Sequence, residues 1–173
     1  MRVVTGGTRA IETLRRAGIA HEVHEYVLPE RHGAARDERP QYGLEAAAAL
    51  GVAAAQVCKT LVAVADGALV LAVIPSDASL DLKRLAAALG AHRADLADPA
   101  AAERVTGYVV GGISPIATRR RLRTVLEERA TALTTIHVSA GRRGLQLSLA
   151  PADLVRVTAA LVAPISTIES RDL

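Results

Sequence analysis

The sequence predicts an α+β fold, one domain over residues 1–173 built on a mostly antiparallel sheet. Apolar runs occur in pairs around tight turns, the mark of antiparallel hairpins, and helix-periodic segments are interspersed among them without a repeating strand–helix–strand unit. Length agrees: a chain of 173 residues buries roughly 70% of its unfolded surface on folding, enough for one sizeable core.

Taken in order, "TRAIETLRRAG" places apolar residues at helical spacing between a capping threonine and a closing glycine, giving a helix over 8–17. "AHEVHEYVL" alternates as a strand. "PERHGAARDERPQYG" carries charge, Gly and two Pro and reads as a loop, and "LEAAAALG" is a short helix closed by Gly51. "KTLVAVA" and "ALVLAVIP" flank Asp66-Gly67, a pair suited to the positive φ values that a two-residue hairpin turn demands; these are expected to be two central antiparallel strands. "SLDLKRLAAALG" is a helix ending at Gly90, and "ADPAAAERV" another, with Asp98 as cap and Pro99 at its first position. "TGYVVGGISP" reads as a strand running into a glycine loop, and "RRRLRTVLEER" as a short strand or helical turn. "TTIHVSAGRRGLQLSLA" is a second hairpin, and "PADLVRVTAAL" closes the chain as a helix with Pro151 in its first turn.

Composition narrows the class. The 50% hydrophobic content includes no Phe or Trp, so the core must be assembled from many small aliphatic contacts. No stretch approaches the ~20 apolar residues of a membrane span, and the N-terminus lacks a signal-peptide pattern, so a cytoplasmic protein that uses no membrane is expected. The single Cys58 excludes an internal disulfide and a cysteine-based zinc site. A net charge of +3 permits a polyanionic partner without demanding one.

Of the 21 basic residues only Lys59 and Lys83 are lysines. Lys59 opens an apolar strand, where it either reaches solvent or, facing away from Cys58, stands at the rim of a cavity as a compact cation for a phosphate, carboxylate or polarised carbonyl. "VVGGISP" offers two glycines that bring bare N–H groups close to a substrate, or simply end a strand in a turn. It does not fit a nucleophile elbow, so Ser114 is not expected to attack. His21 and His24 fall on opposite strand faces with no third ligand in view, so no metal and no cofactor are expected. Cys58 reads as a small core residue. Arg119, Arg120, Arg121 and Arg123, with Arg142 and Arg143, either contact phosphates or form a solvated patch.

The motifs "VCKTLVAV", "LDLKRLAAALGAHRADLADP", "TGYVVGGISP" and "SAGRRGLQLSL", with "HEY" near the start, resemble in order and spacing those of the YbaK-type aminoacyl-tRNA deacylases, free-standing relatives of the editing domain of prolyl-tRNA synthetase. The likeness runs from about residue 8 to 162. It implies a curved mixed sheet with flanking helices. It also implies an enzyme that clears mischarged tRNA, Cys-tRNA(Pro) foremost, with the substrate thiol attacking its own ester. The alternatives are a water-using Ala-tRNA(Pro) deacylase, or a non-catalytic module that binds tRNA or a synthetase. The family's functional lysine falls on Lys59 and the loop glycine whose N–H binds near the substrate carbonyl on Gly111; these are the catalytic candidates. Tyr26, Tyr42, Thr60, Gly112, Ser114 and Gln146 are the substrate-binding ones. Mischarged tRNA is the implied partner, and prolyl-tRNA synthetase a second. Cys-specific members carry an aspartate in the G-L-D-I motif where this chain has Gln146, and the segment from Val27 to Pro40 is longer than theirs, in a position to lid the pocket or meet the tRNA.

Overall fold

The computed structural model describes residues 7–30 and 40–168; much of the long Val27–Pro40 segment lies outside them. The described residues form five α-helices and ten strands. They are α1 (Arg9–Arg16), β1 (Glu22–Glu25), α2 (Tyr42–Leu50), β2 (Cys58–Ala65), β3 (Ala68–Pro75), β4 (Ala78–Leu80), α3 (Leu82–Leu89) and β5 (Ala94–Leu96), then α4 (Pro99–Thr106), β6 (Arg123–Glu127), β7 (Ile136–Ser139), β8 (Leu145–Leu149), α5 (Pro151–Thr158), β9 (Leu161–Ala163) and β10 (Ser166–Ile168).

The expected central hairpin organises the molecule. β2 and β3 pair antiparallel from Cys58–Pro75 to Ala65–Ala68, closed by Asp66 at φ 45° and Gly67 at φ 84°. They sit inside a five-stranded sheet of order β5-β2-β3-β6-β9, in which β6 and β9 are parallel to their neighbours. The second expected hairpin, β7–β8, joins β1 in an antiparallel three-stranded sheet. A single bridge from Val57 to His137 ties the two sheets. This is the mixed, mostly antiparallel α+β architecture.

Alternation along β3 separates the cores. Val73, with Leu126, Val138 and Leu147, packs under α1 and α5 through Ile11, Leu14 and Leu154. Ile74, with Val125 and Ala63, faces Leu85 and Leu89 of α3. Strands buried on both faces explain why β2 and β3 read as continuous apolar runs.

Several boundaries differ from the sequence expectation. The run from Tyr108 to Val110 is not a strand: Gly107 and Gly111, at φ 75° and 87°, break the extended conformation at both ends. Tyr108 is instead buried beside Val105 and Leu122 as a plug, its hydroxyl donating to Ile116 O at 2.7 Å. The helix expected from Ser79 begins after Asp81, whose carboxylate accepts from Lys83 N and Arg84 N, both at 3.0 Å; Ser79 and Leu80 belong instead to β4, paired with β10. α5 stops at Thr158, short of the expected Leu161, and Leu161 begins an edge strand. β1 is shorter than "AHEVHEYVL". α2 begins at Tyr42, two residues earlier than expected, which brings Tyr42 and Gly43 out of the loop and into a helical first turn.

Candidate functional site

A small open cleft lies where the start of β2, the first turn of α2, the glycine loop after α4 and the β7–β8 hairpin converge. Each element delivers a residue for a local reason. Lys59 enters from the second position of β2, held over the sheet on the face opposite buried Cys58 by strand alternation. Tyr42 and Gly43 come from α2, which docks closely because Gly43 has no side chain: a Cβ there would lie 2.1 Å from Ser76 Oγ. Gly111 and Ile113 come from the glycine loop, and Ser139 and Gln146, opposite one another in the β7–β8 register, form the far wall.

Of the sequence-derived candidates, Lys59, Thr60, Tyr42, Gly111 and Gln146 line this cleft. Thr60 Oγ1 and Gln146 Oε1 are enclosed and meet no hydrogen-bond partner among the described residues. Tyr26 does not reach the cleft wall. It packs on Ala46, Ala47 and Val57 under α2 and hydrogen-bonds Gln146 with its hydroxyl, whose acidity burial weakens while the bonds to Gln146 and Gly144 act the other way. Gly112 is committed to the loop: its N–H donates to Val109 O at 2.9 Å, and a Cβ would strike the Arg142 backbone at 2.8 Å. Ser114 is fully buried, its Oγ accepting from Ile116 N at 3.2 Å, so its hydroxyl shapes the turn.

The one thiol is equally disarmed. Cys58 touches the cleft but is 3% exposed; burial, reinforced by Asp77 and only partly offset by Arg129, pushes its thiol up to about 12. It is a protonated core residue near neutral pH. Arg142 and Arg143 take separate tasks. Arg142 pairs with Glu25 at 3.3 Å, whereas Arg143 donates through Nε and Nη2 to Val110 O at 2.8 and 2.6 Å and stacks 5.0 Å from the Tyr42 ring centre. Behind the cleft, β1, β7 and β8 present one polar face. His24 meets Ser148 Oγ at 2.8 Å and lies 5.2 Å from the His137 ring, and burial holds His137 below the ordinary histidine range.

Sequence reasoning missed Gly43, Ser139 and Arg143's grip on the loop. Gly43 looked like loop punctuation, and nothing in the one-dimensional pattern placed the β7–β8 turn on the glycine loop. The combination is a small cleft with a cationic side chain, a positive-φ glycine at its rim and a neutral amide in its wall. It can hold and polarise an ester or similar carbonyl; its cysteine is a buried protonated thiol, and the Oγ of its serine, Ser139, is buried and accepts from Gly141 N at 3.2 Å.

Comparison with known proteins agrees with this chemistry. Residues 40–157 match the model of the aminoacyl-tRNA editing domain. EbsC of Enterococcus faecalis, provisionally named a Cys-tRNA(Pro)/Cys-tRNA(Cys) deacylase, is 34% identical over 94% of both chains. The multifunctional Ser/Thr-tRNA deacylase ProXp-y of Escherichia coli K12 is 35% identical over 51% of this chain and 53% of its own. The fold recurs in the crystal structure of a hypothetical protein, with TM-score 0.79, 25% identity, and 92% and 100% of the two chains covered. It recurs also in a structure described as a candidate trans-editing enzyme for prolyl-tRNA synthetase, with TM-score 0.76, 24% identity, and 91% and 92% covered. Match and site together place the chain in the family of aminoacyl-tRNA editing domains.

Proposed function

We propose that the protein is a trans-editing deacylase that cleaves the 3′-aminoacyl ester of mischarged tRNA, Cys-tRNA(Pro) first among its substrates. The observation that carries this reading is the cleft itself: Lys59, Gly111 and Gln146 converge on it, while Cys58 is buried as a protonated thiol, Ser139 is buried with its Oγ accepting from Gly141 N and Ser114 is tied into a turn. In this reading Lys59 holds the terminal adenosine and ester, and the Gly111 N–H meets the carbonyl oxygen as it gains charge. The cysteinyl thiol supplies the attack: its sulfur, having given up its proton, bonds to the carbonyl carbon, and the carbon–O3′ bond breaks. The 3′ oxygen takes a proton, leaving a thiolactone and free tRNA. Proximity does most of the work, because nucleophile and ester sit on one small residue.

Gln146 favours a second reading. A neutral amide stands where Cys-specific members carry an acid, and it cannot supply that charge to an ammonium or a thiol. Water attack on seryl or alanyl esters, in line with the Ser/Thr-tRNA deacylase relative, needs no thiol. Among the described residues no helix is long and apolar enough to cross a membrane. Action in the cytoplasm, with prolyl-tRNA synthetase as the partner that retains the tRNA, completes the proposal.

The test is amino-acid release from Cys-, Ala-, Ser- and Pro-tRNA(Pro) by wild type and Lys59→Ala. Release of Cys alone, lost in Lys59→Ala, supports the cyclising enzyme. Release of Ser or Ala supports water attack. No release from any ester, with tRNA still bound, overturns both in favour of a binding module.

A further inference from the structure

We propose that Arg143 is a positioning residue that fixes the direction, and raises the donor strength, of the Gly111 N–H. The inference rests on the reading above that Gly111 meets the substrate carbonyl.

The geometry lies in one peptide unit. Arg143 donates twice to Val110 O, from Nε at 2.8 Å and from Nη2 at 2.6 Å. That oxygen belongs to the peptide whose nitrogen is Gly111 N. The peptide is trans and planar, so its C=O and N–H point in opposite directions. Anchoring the oxygen on the β7–β8 turn therefore aims the N–H away from that turn. Gly111 lines the cleft, and its N–H meets no acceptor among the described residues. The next N–H in the loop, that of Gly112, is already spent on Val109 O. Of the two adjacent glycine N–H groups only that of Gly111 is uncommitted, and Arg143 holds the other end of its peptide.

Charge adds to direction. A guanidinium on a carbonyl oxygen draws density through the C–N resonance, and hydrogen bonds in series strengthen one another. The same side chain lies on the Tyr42 ring, whose carbons fill the space where Gly111 has no Cβ. Arg143 therefore closes a latch of three elements, the β7–β8 turn, the glycine loop and the first turn of α2, around one amide.

The experiment compares Arg143→Met and Arg143→Lys with wild type. In substrate-free protein, the Gly111 amide resonance should shift in Arg143→Met while amides of the β2–β3 hairpin stay in place, which also reports an intact fold. In turnover, kcat should fall about tenfold with KM changed less than about twofold, a smaller loss than the 10²–10³ that follows removal of an oxyanion donor itself. Arg143→Lys, which keeps the charge but offers one donor nitrogen in place of the two-nitrogen fork, should fall between, and free guanidinium should partly restore Arg143→Met. An unmoved Gly111 resonance overturns the inference. So does a rise in KM with kcat preserved, which would make Arg143 a phosphate contact. Should wild type release no amino acid, the proposed function fails, while the resonance still reads Arg143's hold on the peptide.

Discussion

The Tyr42 ring occupies the space that a side chain on Gly111 would need: a Cβ placed there would lie 2.6 Å from the nearest ring carbon. Gly111 is also at φ 87°, where a Cβ is strained whatever the surroundings. Clash and strain act at the same atom of the cleft rim. Gly111→Ala should therefore cost about 1–3 kcal/mol of stability and reduce deacylation at least tenfold by displacing Tyr42. Gly51→Ala is the control. It has a similar φ of 67° but open space around it, so it should cost about 1 kcal/mol and leave turnover unchanged. Thermal melts and deacylation rates of the two variants check both halves.

Gly43 tests how α2 is held over Lys59. Its missing Cβ lets the helix approach Ser76, which donates to Val57 O at 2.7 Å and so locks the chain just before β2. Gly43→Ala should lift the first turn of α2 and reduce activity with a destabilisation of about 2 kcal/mol. Ser76→Gly in the same chain should recover part of the loss, because it removes both atoms that a Cβ would strike. A double-mutant cycle in urea measures the coupling, and strictly additive effects would refute the contact.

The buried Cys58 thiol makes a pH prediction with a definite sign. Its folded value of about 12 lies above its ordinary 9.0, so the stabilising preference for the protonated form is complete below pH 9. Above pH 9 the unfolded chain loses this proton and the folded chain keeps it. Stability should then fall by about 1.4 kcal/mol per pH unit until the folded thiol titrates. Other groups titrate in the same window, so the measurement is the difference between wild type and Cys58→Ala across pH 8–11. Iodoacetamide at pH 8 should leave Cys58 unmodified until denaturant is added.

How much of this was legible in the chain depends on the range of the interaction. The β2–β3 hairpin announces itself through Asp66-Gly67, because the signal and its consequence lie within a few residues. The likeness of "VCKTLVAV" and "TGYVVGGISP" to a known family brought Lys59 and Gly111 forward, and they do share the cleft. What was hidden was set across long separations. Tyr108-Val109-Val110 is apolar enough for a strand, yet the positive-φ glycines around it and the pull of Ile116 O on the Tyr108 hydroxyl make it a plug. The strands β4, β5, β9 and β10 have three residues each, too short for a period-2 pattern to stand out. Gln146 was visible as a departure; that Tyr26 would serve Gln146 instead of lining the cleft was not.

The C-terminal β10 shows how such a short strand is held. Its anchor is Glu127 at the end of β6, 2% exposed, which accepts from Ser166 Oγ at 2.7 Å and Ile165 N at 2.9 Å through one carboxylate oxygen. The other oxygen accepts from Arg129 N at 3.3 Å. Three donors converge on one buried carboxylate, and Ile165 N also heads the segment that packs Ile165 into the core under α3. Glu127→Leu would leave those donors without a partner, at about 1–3 kcal/mol for each group stranded, and should destabilise the protein by about 3 kcal/mol or more in urea denaturation. Glu127→Gln keeps one acceptor oxygen but places an N–H₂ against at least one donor, so it should fall between wild type and Glu127→Leu. Ser166→Ala removes one donor with its hydroxyl and should cost only about 1 kcal/mol. If Glu127→Leu unfolded at the wild-type midpoint, the carboxylate would not be what ties β10 and β4 to the main sheet.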